Sequence, residues 1–154
     1  MTPHRSRALG GVLIAAGVIG VVTGGIPLTV NAWRVLTHDH LRPGADLAAH
    51  GARALGLSVE WAMLSSAMGI FLGVLLLAAG LAWLRGRPSA PLLTWVYVFG
   101  GLMVNIPDML IFIFKALPGR MRTTMLLLDG LATLFPLLVA LWLRRLQPRP
   151  SNED

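Results

Sequence analysis

The chain contains no cysteine. That excludes disulfides, thiolate-bound metals, CxxC redox chemistry and a cysteine nucleophile. It says nothing of compartment, since a protein without thiols suits any redox poise. Charge is scarce too. Only 13% of the 154 residues are Asp, Glu, Lys or Arg, against about 25% in a typical soluble domain. Apolar residues make up 55% of the chain and mean hydropathy is +0.70. So little charge is a poor coat for a water-soluble globule, and so apolar a chain is not a disordered one. No GxSxG elbow, P-loop or dinucleotide glycine fingerprint stands in a fitting structural context. Gly-rich as the first apolar run is, it matches a phosphate loop only in composition.

The net charge of +6 does not point to nucleic acid. The basic residues fall in short clusters beside apolar runs: Arg5 and Arg7, Arg85 and Arg87, Arg120 and Arg122, Arg144 and Arg145. No basic stripe with interleaved aromatics appears. This is the pattern of charge flanking membrane spans, so the bilayer is the expected partner and nucleic acid is not.

Four runs are long enough to cross a bilayer, which takes about 20 apolar residues in a helix. They are 8–33, 61–84, 90–114 and 123–143, the third interrupted by Asp108 and the fourth by Asp129. Backbone groups in lipid are satisfied only by helices or closed barrels, and the alternation of barrel strands is missing. An all-α, up-down-up-down bundle of four transmembrane helices is predicted, as one integral membrane domain over 1–154. All five tryptophans (Trp33, Trp61, Trp83, Trp95, Trp142) fall near the ends of the runs, where an indole is at home at the headgroup level. The first run follows His4, Arg5 and Arg7 like a signal peptide, but a signal h-region spans only about 7–15 residues. It reads as a retained helix.

Loop 1 is long, 34–60, with a break at Pro43-Gly44 and a short surface helix conceivable over 45–54. Loop 2, 85–89, is short. Loop 3 turns at Leu117-Pro118-Gly119-Arg120, where a Pro-Gly pair permits tight reversal. The polar tail 146–154 reads as disordered. Basic residues crowd the helix ends beside both termini and loop 2, which favours cytoplasmic termini under the positive-inside rule, in a plasma (inner) membrane.

Two stripes of small residues recur every four positions, hence on one helix face: Ala16, Gly20 and Gly24 in the first run, Ser65, Gly69 and Gly73 in the second. Without bulky side chains two backbones approach closely in lipid. Packing of the first helix on the second is the economical use of both stripes; a homo-oligomer or partner face is the other.

Asp108 and Asp129 are the informative polar residues. Asp108 lies seven residues before Lys115 and Asp129 seven after Arg122, so both are expected roughly 10 Å inside one interface. In a hairpin they reach matching depth. Asn105 is one turn from Asp108, and Pro107 between them frees a backbone carbonyl. The topology brings Asn31, Arg34 and Glu60 to the same end, giving a candidate intramembrane cluster of Asn31, Arg34, Glu60, Asn105, Asp108 and Asp129. Glu60 also suits the start of the second helix, behind Ser58 as a cap. Paired charges would lock the bundle; an unpaired cluster would line a cavity for a small solute, ion, lipid headgroup or proton; two carboxylates with split pKa values would serve as acid and base. His38-Asp39-His40 and His50 in loop 1 are compatible with a zinc or copper site, but the spacing is a weak metal signal and a solvated polar loop is the favoured reading. No metal or cofactor is assigned.

The function the residues favour is a non-enzymatic membrane subunit or accessory factor that packs against a membrane-protein partner or a second copy. The alternative is a membrane protein handling a small solute, ion or proton through the carboxylate cluster, and the third reading is a membrane-embedded enzyme.

Overall fold

A computed structural model describes residues 3–36, 59–114 and 119–146. They form four helices, α1 (Pro3–Leu36), α2 (Val59–Leu84), α3 (Ala90–Phe114) and α4 (Gly119–Leu146), and no strand occurs among the described residues. All four are long and apolar enough to span a bilayer, through Ser6–Val30, Met63–Leu84, Ala90–Pro107 and Leu126–Leu146. Leu92, Met103, Ile19, Ile26, Leu127 and Leu131 are each more than 60% exposed. In water so much bare hydrocarbon would drive aggregation; in lipid it is the outer coat of an integral membrane protein. The few hydroxyl side chains inside the runs return their donors to the helix itself, as Thr23 does to the Ile19 carbonyl and Thr133 to that of Asp129, so the helical ladder is not broken.

The helices outrun the apolar segments. α1 extends from Pro3 to Leu36, about 50 Å at 1.5 Å per residue, and so reaches beyond a hydrocarbon core about 30 Å thick. Arg34 and Glu60 are helical rather than part of loop 1, and Gly119 and Arg120 open α4 rather than belonging to the turn. Leu146, assigned to the disordered tail by its sequence, closes α4 and is buried. One more apolar contact is enough to extend a helix past its basic pair. The remainder of the tail, 147–154, lies outside the described residues, as do the 45–54 segment, Ser58, His38-Asp39-His40 and His50.

Neighbours in sequence are neighbours in space: α1 packs along α2, α2 on α3 and α3 on α4. The α1–α2 register is antiparallel and close. A Cβ on Gly10 would meet the carbonyl oxygen of Gly80 at 3.0 Å, one on Gly17 that of Gly73 at 2.8 Å, and one on Gly24 that of Ser66 at 2.8 Å. Seven residues up α1 match seven residues back along α2, so backbone lies on backbone for four turns. Gly20 lies over the Gly73 Cα and Gly69 over the Gly24 Cα.

The α2–α3 connection is a tight helix end followed at once by a helix start. Gly86 takes the left-handed conformation, φ 63°. Its N–H donates to the Trp83 carbonyl, and the Arg87 N–H donates to the Ala82 carbonyl. These two bonds define a Schellman motif. Pro91 then sits in the first turn of α3, where its missing N–H removes no helical bond. The turn is tied across by side chains: the Trp83 indole N–H donates to Thr94 Oγ1 at 2.9 Å, and that hydroxyl donates to the Ala90 carbonyl at 2.8 Å. Trp83 is 6% exposed. Its indole is therefore a bundle residue, unlike the wet headgroup position its sequence suggests, because Thr94 supplies the acceptor that water would otherwise provide.

The tightly packed core lies at the end of the bundle that holds loop 2 and the outer ends of α1 and α4. Leu9, Leu13, Ala79, Trp83, Ala90, Val98, Val139 and Leu143 form it. Toward the loop-3 end the packing loosens: beyond Gly101 in α3 and before Pro136 in α4 no described residue is buried.

Candidate functional site

Three proline-bearing helices shape the loop-3 half: Pro27 in α1, Pro107 in α3 and Pro136 in α4. A proline removes the N–H that would bond the carbonyl four residues back. For Pro136 that carbonyl belongs to Ala132. The structure answers the vacancy directly, since Asn105 Nδ2 donates to the Ala132 carbonyl oxygen at 2.9 Å. One turn nearer loop 2, Gly101 receives the Pro136 ring: a Cβ on Gly101 would meet Pro136 Cγ at 3.1 Å. The α3–α4 pair is thus held by a proline seated on a glycine and by an asparagine that satisfies the carbonyl this proline exposes. Tyr97 and Phe135 add an edge-to-face ring contact at 6.1 Å.

This bond gives Asn105 a use that its one-turn spacing from Asp108 did not suggest. The sequence signal was present all the same. Asn105 sits two residues before Pro107, and attention falls on the carbonyl freed in its own helix; the acceptor it uses is the one freed across the interface by Pro136.

Asp129 occupies the same helix face region one turn beyond Ala132. Its Oδ2 is shielded from the surface, and its main-chain carbonyl accepts a second bond, from Thr133 Oγ1 at 2.8 Å. Back-bonding of this kind lets a threonine stay in lipid with its hydroxyl satisfied. Asn105 and Asp129 therefore both belong to the α3–α4 hairpin in its loop-3 half. Asp108 is carried by α3, Asn31 and Arg34 by the last turns of α1, and Glu60 by the first turn of α2; the side chains of these four lie outside the described residues. Among the described residues no group of three His, Asp or Glu side chains is gathered closely enough to hold a metal.

The small-residue stripes are resolved in more detail. Gly20, Gly24, Gly69 and Gly73 all lie in the α1–α2 contact. Gly10, Gly17 and Gly80 join them, and the tightest approaches repeat every seven residues instead of every four. Ser66 stands at the third close approach, with Ser65 beside it partly buried; Ala16 packs against the core from one side. A four-residue search finds one turn-to-turn row, whereas a sustained antiparallel contact follows the heptad.

A second set of small residues on α1 is left uncovered. Nothing lies within 4 Å of a Cβ placed on Gly11 or on Gly25, although Gly10 and Gly24 beside them are sealed. Gly11, Ala15, Val18, Val22, Gly25 and Thr29 alternate four and three apart, so they share one face, turned away from α2. Along it Val22, Gly25, Ile26, Thr29 and Val30 border a wholly apolar groove of about 400 Å³. Thr29 donates its hydroxyl back to the Gly25 carbonyl at 2.8 Å, which presents the groove with no unsatisfied donor. The sequence carried this face too, hidden because each of its glycines sits next to one used internally.

No family model, curated protein or solved structure matches the chain.

Proposed function

We propose that the protein is a non-enzymatic membrane subunit whose α1 receives a transmembrane helix of another membrane protein on its free small-residue face. The observation that carries this reading is the apolar groove around Gly25 on a helix whose opposite face is already packed backbone to backbone. In lipid, helices gain little from the hydrophobic effect and associate where small residues allow close van der Waals contact. Gly11 and Gly25 supply such openings two heptads apart, and the valines between them offer shallow ridges.

Gly25→Leu tests it. The leucine has open space in the isolated chain, so the purified variant is expected to melt like the wild type. In native membranes it should run at lower assembly mass than the wild type, because the groove is filled. An unchanged assembly mass would reject the reading, and the mass lost would distinguish a second copy of this chain from a different partner. The setting proposed is the plasma (inner) membrane with both termini cytoplasmic, as the basic loop-2 end favours under the positive-inside rule.

A second reading has an observation of its own. Asp129 holds a shielded carboxylate oxygen in the loosely packed half of the bundle, and intramembrane carboxylates often mark paths for protons or small solutes. Asp129→Asn keeps size and hydrogen bonding while removing charge. A proton or solute flux into proteoliposomes that this variant abolishes would favour the second reading; equal flux through protein-free vesicles would dismiss it.

A further inference from the structure

Among the described residues the loop-2 end of the bundle carries basic side chains and no carboxylate. Arg7, Arg85, Arg87, Arg144 and Arg145 are all exposed there. The carboxylate residues within the four helices, Glu60, Asp108 and Asp129, belong to the start of α2, the distal part of α3 and the loop-3 part of α4. Among the described residues none of these five guanidinium groups is engaged in an ion pair. Basic charge gathered at one membrane surface attracts anionic headgroups.

One of the five stands over a built groove. Leu138, Leu141, Trp142, Arg145 and Leu146 follow one face of α4 and border a depression of about 460 Å³. Its floor is firm, since Leu146 is buried and Trp142 packs against the core; its rim, Leu138 and Leu141, is more than half exposed. From Arg145 to Leu138 is seven residues, about 10 Å along the helix axis. The order along that axis is guanidinium, indole, then branched hydrocarbon. Arginine binds phosphate through paired N–H donors, an indole prefers the glycerol and headgroup depth, and leucines offer a surface for an acyl chain.

From this order and the exposed arginines at this end we infer that the α4 groove is a binding site for one anionic phospholipid of the leaflet at the loop-2 end. The phosphate lies at Arg145, the glycerol region against Trp142 and the first part of an acyl chain over Leu141 and Leu138. The lipid phosphate supplies a counter-charge to Arg145, and the lipid holds the depth of α4 at this end.

Native mass spectrometry of the full-length protein released from detergent, with added phosphatidylglycerol or phosphatidylcholine, tests the site. Wild type is expected to retain one phosphatidylglycerol in preference to phosphatidylcholine. Arg145→Gln should weaken that retention about fivefold, the effect of one basic residue at an anionic surface, and Arg145→Lys should recover part of it. Leu141→Trp should fill the groove and displace either lipid, while Arg87→Gln, at the same end but outside the groove, should leave the bound lipid in place. Melting temperatures of the variants separate loss of binding from loss of fold. Equal retention of the two lipids by wild type would overturn the inference. So would equal losses in the Arg145 and Arg87 variants, which would mean diffuse attraction to the charged end. Complete displacement by glycerol phosphate without acyl chains would also overturn it, by showing a phosphate site that does not use the groove.

Discussion

Asn105 and Pro136 form the most testable pair of single residues. Removing the asparagine side chain leaves the Ala132 carbonyl, which faces lipid and not water within the span, without that bond, and hydrogen bonds between membrane helices contribute on the order of 0.6–2 kcal/mol. Asn105→Ala is therefore expected to lower stability by about 1 kcal/mol in detergent unfolding. Pro136→Ala returns an N–H to α4, which can bond that same carbonyl. In the Pro136→Ala background the loss of Asn105 should have a smaller effect, and a double-mutant cycle reads the difference; two additive losses would show that the two residues act independently. Gly86 carries a second prediction at this scale. Its left-handed φ disfavours any side chain by about 1–2 kcal/mol, so Gly86→Ala should reduce the melting temperature without changing the helical content seen by circular dichroism. The left-handed turn was not legible in the sequence, because Arg85-Gly86-Arg87 reads as a simple basic loop until the bonds to Ala82 and Trp83 are seen. The Asn105 bond was half legible: a polar residue in an apolar run announces a partner, but which carbonyl it meets depends on the rotation of α4.

At the scale of the elements, the four spans, their lengths and the short α2–α3 hairpin were legible, because apolar run length is set by bilayer thickness and turn chemistry is local. Helix ends were less so. Arg34, Glu60 and Leu146 continue helices beyond the hydrophobic boundary, since a helix stops where its backbone finds other partners and not where hydropathy changes. Which face of α1 contacts α2 was legible in kind, through Gly20, Gly24, Gly69 and Gly73. The heptad of closest approach was not, because α1 carries glycine pairs (10–11 and 24–25) that serve two faces. The two faces predict opposite behaviour for the same substitution. Gly73→Leu would drive a side chain into the Val21 amide and Gly17 carbonyl, where even a Cβ has 2.7 and 2.9 Å. It is expected to prevent α1 from docking and to leave little folded protein after extraction. Gly11→Leu, with nothing within 4 Å, should fold and melt as wild type. Equal damage from both would mean that α1 is packed on all sides.

For the whole molecule, the packing is polarised along the membrane normal. Buried side chains and exposed arginines collect at the loop-2 end; the carboxylate residues of the helices, Glu60, Asp108 and Asp129, belong to the other. Of the candidate cluster, Asn105 and Asp129 are carried by the α3–α4 hairpin, Asn105 bonding the Ala132 carbonyl; the side chains of Asn31, Arg34, Glu60 and Asp108 lie outside the described residues. Side-chain rotation about each helix is what spacing alone does not contain. The central claim is that α1 offers a free face to another transmembrane helix, and the absence of native cysteine makes a clean test possible. Single cysteines placed at Ala15, Val21, Val22, Leu28 and Thr29 would be cross-linked in native membranes with a short thiol-to-amine or photoactivated reagent. The account predicts intermolecular products at Ala15, Val22 and Thr29, on the face that contains Gly25, with little at Val21 and Leu28, which are partly buried and turned toward α2. Equal products at all five positions, or none at any, would contradict it.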